Sequence, residues 1–242
     1  MVGMSTVPLK AGFLLFSGMT QLDLTGPFEV LARLPGCKAH IIAKTLAPVR
    51  TERGLVITPD IDFDSAPQYD LFAVPGGPGT DDAILDPDTV DFVRRQAKGA
   101  RFVFGICTGS LLLGAAGLLR GRRAGGHWQA RDLLDRFGAI VSDDRLTISE
   151  NIFTSGGVTA GIDMAIRVAA EIAGEAVAQQ IQLQIEYDPE PPFNAGTPSV
   201  APPEIVQRAV AATAERRRIR EAAVAKAADN LAAFERALSR DA

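Results

Sequence analysis

The chain has 242 residues, of which 47% are hydrophobic, enough for one large α/β domain or two small ones with a substantial core. Its formal net charge of −4 offers no electrostatic footprint for nucleic acid. Basic residues cluster only at positions 120–123 and 216–220, where we expect solvated helix ends. The first ten residues lack the features of a signal peptide, and no apolar run is long enough to cross a bilayer. We therefore expect a cytoplasmic protein with no nucleic-acid or membrane partner.

The two cysteines, Cys37 and Cys107, cannot be paired from sequence alone. No spacing of cysteine and histidine resembles a zinc site, so we expect no metal ion. Unpaired cysteines are typical of a reducing compartment, which agrees with the expected cytoplasmic location.

Short apolar runs alternate along the chain with segments of helical spacing. The predicted strands are residues 10–16, 39–43, 71–74, 101–106 and 140–141, and the predicted helices are residues 26–34, 81–98, 110–119 and 129–137. Several strands are apolar on both faces, which is typical of a parallel sheet covered by helices. The pattern predicts a doubly wound, mostly parallel, flavodoxin-like α/β fold with helices on both faces. Residues 54–58 and 146–153 resemble added hairpin strands.

The C-terminal part divides at a cluster of prolines. Residues 159–187 have the spacing of one long helix, which would close an α/β domain of residues 8–187. Residues 188–202 form a proline-rich connector, because proline cannot continue a helix and restricts the residue before it. Residues 203–242 are rich in Ala, Arg and Glu and predict a helical tail of one or two helices, too short for a domain of its own.

The most informative motif is Gly105-Ile106-Cys107-Thr108-Gly109, where a predicted strand meets a predicted helix. The spacing is that of a nucleophile elbow, in which flanking glycines allow a tight turn that projects the nucleophile over the sheet edge. A helix N-terminus favours the thiolate, so we expect Cys107 to be more nucleophilic than a free thiol. The alternative is that Cys107 is simply a small buried residue.

Two loops follow other predicted strands at the same sheet edge, where ligands bind in this fold class. Asp23 lies between two leucines just before a predicted helix start at Gly26, and it could equally be a capping or first-turn acid. Gly76 and Gly77 form part of a glycine-rich turn whose amides could face an anion or a developing charge. The alternative is a purely structural turn, and no phosphate-binding pattern is present.

His127 is the third candidate, within Gly125-Gly126-His127-Trp128. The chain has two histidines, and His40 lies in a predicted strand where a structural role is expected. If a cysteine–histidine pair exists, His127 must supply it, although a structural role is open for His127 as well.

Five separated motifs together resemble the ThiJ/PfpI superfamily, with its class I glutamine amidotransferase-like fold. In chain order they are Leu-Asp-Leu-Thr-Gly-Pro from residue 22, Pro-Gly-Gly from residue 75, Gly-Ile-Cys-Thr-Gly from residue 105, Gly-His-Trp from residue 126 and Thr-Ser-Gly-Gly from residue 154. The resemblance covers about residues 8–187. It implies the same fold and, since members are commonly dimers, a homodimer.

Within the superfamily the chain is most similar to a cofactor-free branch that adds water to a small-molecule isonitrile and yields an N-substituted formamide. That similarity implies Cys107 as nucleophile, assisted by Thr108 and Asp23. We expect Gly76, Gly77 and His127 to be substrate-binding or oxyanion-type residues. Protease-like members carry histidine where this chain has Thr108, and many members have glutamate where it has Asp23. A ligand- or redox-sensing protein and a glyoxalase- or deglycase-like enzyme remain alternatives. Regulators of the AraC type share the first loop and the elbow, but residues 203–242 are too short for their two helix-turn-helix units.

Overall fold

The structure is a computed structural model and describes residues 9–240. The predicted domain boundary at residue 8, the N-terminal residues before it and the last two residues of the predicted tail lie outside the described part. No helix within residues 9–240 is both long and apolar enough to cross a membrane.

Eleven strands occur in the described chain. They are β1 (Lys10–Leu14), β2 (Lys38–Ala43), β3 (Val49–Arg50), β4 (Val56–Ile57), β5 (Ile61–Asp62), β6 (Leu71–Val74), β7 (Phe102–Ile106), β8 (Arg123–Ala124), β9 (Ile140–Val141), β10 (Leu146–Ser149) and β11 (Ile152–Ser155). Seven of them form one sheet in the order β10-β11-β7-β6-β1-β2-β5. Every neighbouring pair is parallel except β10 with β11, so the predicted doubly wound, mostly parallel sheet is confirmed.

Helices cover both faces of this sheet. They are α1 (Gln21–Leu31), α2 (Thr80–Ala83), α3 (Pro87–Gly99), α4 (Gly109–Ala115), a 3-10 helix (Arg131–Phe137), α5 (Ala160–Ala173), α6 (Glu175–Gln184), α7 (Pro203–Ala212) and α8 (Ala214–Leu238). Alternate residues of a strand face opposite sides. Phe72 and Val74 of β6 therefore pack with α3, α4 and α8, whereas Leu71 and Ala73 pack in the core formed with α1, α5 and α6.

All five predicted helices have different bounds in the structure. The helix predicted at residues 110–119 is α4, which ends at Ala115, and the one predicted at residues 129–137 is the 3-10 helix that begins at Arg131. The helix predicted at residues 26–34 begins earlier, at Gln21, and takes Gly26 and Pro27 into its interior. The helix predicted at residues 81–98 is two helices, because Pro87 disfavours helical backbone at Asp86 and begins α3. The helix predicted at residues 159–187 is interrupted at Gly174, where φ is +87°.

Two strand assignments also change. Residues 140–141 form a strand, but β9 pairs only with β8 in a separate two-stranded sheet and does not join the main one. Residues 146–153 were expected as an added hairpin, and β10 and β11 do pair antiparallel. β11 also lies parallel to β7, so the hairpin extends the main sheet beside the elbow strand.

The C-terminal helix α8 packs against the α/β core. Its apolar residues Ala223, Val224, Ala227 and Leu231 are buried and contribute to the same core cluster as α3 and α4. They recur at intervals of one, three and four positions, which places them on one face of the helix.

Candidate active site

The elbow cysteine lies immediately after β7. Cys107 has φ +58°, a left-handed conformation that a non-glycine residue holds at a cost of about 1–3 kcal/mol. The backbone of α4 starts so close to the sheet that a Cβ atom on Gly109 would lie 2.1 Å from the Val74 carbonyl oxygen. Glycine is therefore required there, and the predicted nucleophile-elbow geometry is present.

Hydrogen bonds from three other segments fix the elbow. The Cys107 amide donates to the carbonyl oxygens of Ser155 at 3.1 Å and Gly156 at 3.2 Å, at the end of β11. The Cys107 carbonyl accepts from the His127 amide at 3.2 Å and from the Ser110 hydroxyl at 3.1 Å. These bonds hold the strained backbone in place, as expected where surrounding structure over-determines a local conformation.

Asp23 lies in the first turn of α1 and is fully buried. Its Oδ2 atom accepts a hydrogen bond of 2.9 Å from the Gly76 amide. Its Oδ1 atom has no hydrogen bond of regular geometry within the described residues. Burial is the main cause that raises the pKa of the Asp23 carboxyl to about 7, against lowering contributions from the Gly76 amide and the Cys107 thiol. Asp23 is thus a first-turn acid, as one alternative predicted, but its side chain faces the cysteine.

Burial also raises the pKa of the Cys107 thiol well above its ordinary value, and the negative charge of Asp23 raises it further. The Thr108 amide and the Arg220 guanidinium lower it by smaller amounts. The raised pKa opposes the expectation that the helix N-terminus makes Cys107 more nucleophilic than a free thiol. A thiol of raised pKa needs a base to take its proton before it can act as a nucleophile, and the ionisable group beside Cys107 is the Asp23 carboxyl.

The Gly76–Gly77 turn follows β6, between the strands that precede Asp23 and Cys107. The Gly76 amide donates a hydrogen bond to Asp23, and the Gly77 amide donates one of 2.8 Å to the Thr108 hydroxyl. Gly77 has φ +128°, and a Cβ atom there would lie 2.4 Å from the Thr20 amide nitrogen. Both amides already have acceptors, so neither is free in this structure for the expected oxyanion-type role.

Thr108 is buried, and its hydroxyl faces this turn. Besides accepting from Gly77, the hydroxyl lies 3.0 Å from the Thr80 hydroxyl and 3.2 Å from the Gly77 carbonyl oxygen. All its hydrogen-bonding capacity is therefore used within the protein. The Thr108 backbone amide lowers the pKa of the Cys107 thiol, while the Thr108 hydroxyl holds the turn through its contacts with Gly77.

His127 is half-buried beside the elbow. Its Nδ1 atom accepts from the Gln129 amide at 3.3 Å, and its ring edge faces Gly157. Burial, together with the positive charges of Arg220 and Arg131, lowers the pKa of the His127 imidazole to about 4. His127 is consequently neutral at neutral pH. It contacts Cys107 through its backbone amide, and no hydrogen bond joins its ring to the sulfur in the described structure.

Arg220 was missed in the sequence, where residues 216–220 were expected to be a solvated cluster. The structure contradicts this expectation, because Arg216 and Arg220 pair with the buried Asp81 and Arg217 pairs with Asp132. A signal was present, since Arg220 continues the buried stripe of α8 by one turn toward the N-terminus.

The arrangement combines a strained buried thiol with a buried carboxyl of near-neutral pKa and one unpartnered oxygen. Such a pair can pass a proton from sulfur to a substrate atom and then from water to a leaving group. Within residues 9–240 no group of three or more His, Cys, Asp or Glu side chains is arranged to hold a metal ion.

Comparison with known proteins defines the class. Residues 9–171 match the DJ-1/PfpI family, and the chain belongs to that family. A crystal structure of a ThiJ/PfpI family protein from Pseudomonas syringae superimposes with a TM-score of 0.88 at 37% identity, covering 93% of this chain and 97% of that one. The resemblance derived from the five motifs is therefore confirmed.

Two curated relatives indicate how the family varies. An isonitrile hydratase from Pseudomonas putida is 47% identical over 201 residues, which cover 83% of this chain and 88% of that protein. An HTH-type transcriptional regulator from Pseudomonas aeruginosa is 34% identical over 165 residues, but these cover 65% of this chain and only 45% of the regulator.

Proposed function

We propose that this protein is an isonitrile hydratase that converts R–N≡C and water into the formamide R–NH–CHO. The observation that carries the proposal is the buried pair of Asp23 and Cys107, in which the carboxyl has a pKa of about 7 and a free Oδ1 atom. The similarity to the Pseudomonas putida enzyme supports the choice of substrate class.

In the first step the Cys107 thiol adds to the terminal carbon of the isonitrile. Ionised Asp23 accepts the thiol proton and delivers it to that carbon, whose lone pair forms the C–H bond. The S–H bond breaks, C–S and C–H bonds form, and the product is the thioimidate R–N=CH–S–Cys107. At neutral pH a carboxyl with a pKa of about 7 is present in both forms, so it can accept and return a proton.

In the second step water replaces sulfur. Asp23 takes one proton from water as the water oxygen attacks the thioimidate carbon, and it passes that proton to nitrogen, which gives the tetrahedral adduct R–NH–CH(OH)–S–Cys107. The C–S bond then breaks as the remaining hydroxyl proton is transferred through Asp23 to sulfur. The cysteine leaves as the thiol, and the formamide R–NH–CHO forms directly. One water is consumed and no electrons are exchanged, so the scheme needs no redox cofactor.

The remaining roles in the proposal follow from the contacts. Gly76 and the Thr108 side chain orient Asp23 and the turn, the Thr108 amide faces the sulfur, and neutral His127 borders the substrate space. We further propose a homodimer, to be tested by light scattering, and a cytoplasmic location, where reducing conditions would keep the thiol reactive.

The test is incubation of the purified protein with a simple alkyl isonitrile in water enriched in ¹⁸O. We expect the N-alkyl formamide, with the label in its formyl oxygen. A parallel incubation with a 1,2-dicarbonyl distinguishes the glyoxalase-like alternative. Turnover of the dicarbonyl without formamide formation would contradict the proposal.

A further inference from the structure

Arg220 reaches the site from α8, which lies outside the strand–helix units that carry Cys107 and Asp23. Its Nε atom donates to Asp81 Oδ1 at 2.7 Å, and its Nη2 atom donates to the Gly77 carbonyl oxygen at 3.2 Å. Both members of the ion pair are buried, with side-chain exposures of 9% for Arg220 and 4% for Asp81. A buried guanidinium is found where its planar fork can satisfy two acceptors in fixed geometry.

The carbonyl that Arg220 binds belongs to the turn that holds the catalytic side chains. The same Gly77 oxygen accepts from the Thr80 amide and lies 3.2 Å from the Thr108 hydroxyl. The two amides that precede this carbonyl, those of Gly76 and Gly77, donate to Asp23 and Thr108. The guanidinium therefore connects α2, through Asp81, to the turn that fixes the Asp23 carboxyl.

We infer that Arg220 is a positioning residue for isonitrile hydration, and that α8 thereby completes an active site whose reacting groups all lie in the α/β domain. The inference rests on the proposed function for the reaction that it assists. Arg220 lies outside the sequence motifs of the α/β domain, and so does the role in the site that it gives to the C-terminal helix.

The charge of Arg220 supports this placement. It lowers the pKa of the Cys107 thiol and also that of the His127 imidazole, although burial is the larger cause for both groups. Loss of the charge must therefore raise both pKa values. A residue that merely attached the helix would leave these titrations unchanged.

The experiment compares Arg220→Gln with the wild-type full-length chain. We expect hydration to fall about tenfold to a hundredfold, the scale for small displacements of catalytic groups. The pH profile of Cys107 alkylation by iodoacetamide, measured in a Cys37→Ser background, should shift to higher pH. The NMR titration of His127 should shift in the same direction, and with two histidines in the chain the signals are readily assigned.

The matched control is Arg217→Gln. Arg217 lies on the same helix and joins it to the domain through Asp132, with contacts of 2.7 and 2.5 Å, but it does not bind Gly77. We expect near-wild-type hydration and an unshifted alkylation profile. If Arg220→Gln does not fold because Asp81 is left as an unpaired buried charge, the double variant Arg220→Gln, Asp81→Asn removes that charge and becomes the deciding protein.

Three outcomes overturn the inference. They are unchanged hydration in a folded variant that lacks Arg220, an equal loss in Arg217→Gln, and a loss of hydration without a shift of the alkylation profile. Failure of the wild-type protein to hydrate isonitriles would instead remove the proposed function. The alkylation and His127 titrations would still decide whether Arg220 acts on the site.

Discussion

At the scale of single residues, the site depends on two acidic groups that burial affects in the same direction. Desolvation favours the neutral forms of both Asp23 and Cys107, and the ionisation of either one opposes that of the other. A shared proton is the consequence, since the pair holds one negative charge more readily than two. This coupling makes the two side chains one chemical unit.

Replacing Cys107 by alanine should abolish hydration without unfolding the protein. Alanine keeps the Cβ atom, so the backbone strain at φ +58° is unchanged while the nucleophile is lost. Formamide production and circular dichroism measure the two effects. Cys37→Ser is the control, because Cys37 is only partly buried and lies between α1 and β2, far from the elbow motif in the sequence. Its rate should be close to wild type, and a comparable loss there would mean that the wrong sulfur has been assigned.

Asp23→Asn should lower the hydration rate by roughly 10²- to 10⁴-fold, the usual contribution of a general acid–base. The amide oxygen can still accept from Gly76, but the side chain can no longer transfer a proton. The pKa of Cys107 should fall, because the negative charge that raises it is removed. Kinetics and thiol alkylation report these two changes. If neither differs from wild type, Asp23 is only a helix residue and the mechanism is wrong.

Thr108→Val keeps the shape of the side chain but leaves the buried Gly77 amide without its acceptor. An unsatisfied buried donor costs about 1–3 kcal/mol, so the urea midpoint should fall. Hydration should fall as well, by a similar free energy, because the turn orients Asp23. Thr108→Ser retains the hydroxyl and should restore both properties. Equal behaviour of the valine and serine variants would remove the hydroxyl from this role.

At the scale of elements, the prediction from sequence succeeds where the periodicity is local. The alternation of buried strands and helices predicts β1, β6 and β7 and their order along the chain. It does not predict the contact of Asp23 with Cys107, because local periodicity does not give the order β7-β6-β1, in which the parallel strands bring their carboxyl ends to one edge of the sheet. The start of α1 was missed because Gly26-Pro27 resembles a helix N-terminus, although the helix already begins at Gln21. Arg220 was missed because arginine is rarely buried. Its charge therefore predicted an exposed side chain, although its spacing from Ala223 and Val224 places it on the buried face of the helix.

The docking of α8 gives a prediction at this scale. Leu231 is 5% exposed and packs over the backbone at Gly117, whereas Leu238 on the same helix is 56% exposed. Leu231→Ala should lower the free energy of unfolding by about 2–5 kcal/mol, the range for a buried leucine. Leu238→Ala should change it by at most about 0.5 kcal/mol. Urea unfolding of the two variants measures the difference, and equal effects would show that the helix is not held by this face.

At the scale of the whole molecule, two site residues oppose each other in the dependence of stability on pH. The pKa of Asp23 is raised to about 7, so its contribution to stability is fully present below pH 4 and is lost as pH rises to 7. The pKa of His127 is lowered to about 4, so its contribution is present above pH 6.5 and is lost as pH falls to 4. The two slopes largely cancel in the wild-type protein.

Removing either group should expose the slope of the other. Relative to wild type, Asp23→Asn should gain stability as pH rises from 4 to 7, by roughly 4 kcal/mol in total. His127→Gln should instead lose stability relative to wild type as pH rises from 4 to 6.5. Urea midpoints measured at intervals of half a pH unit give both differences. Parallel curves for all three proteins would contradict the two shifted pKa values.

The position of Arg220 along the chain also sets the order in which the site can form during synthesis. Its contact with Gly77 joins residues 143 positions apart, and its contact with Asp81 joins residues 139 positions apart. Translation is directional, so Cys107 and Asp23 emerge from the ribosome long before the guanidinium that braces their turn. The turn at Gly77 therefore lacks the Arg220 contact until α8 docks, and we expect the site to reach its final geometry only after the C-terminal helix has been synthesised.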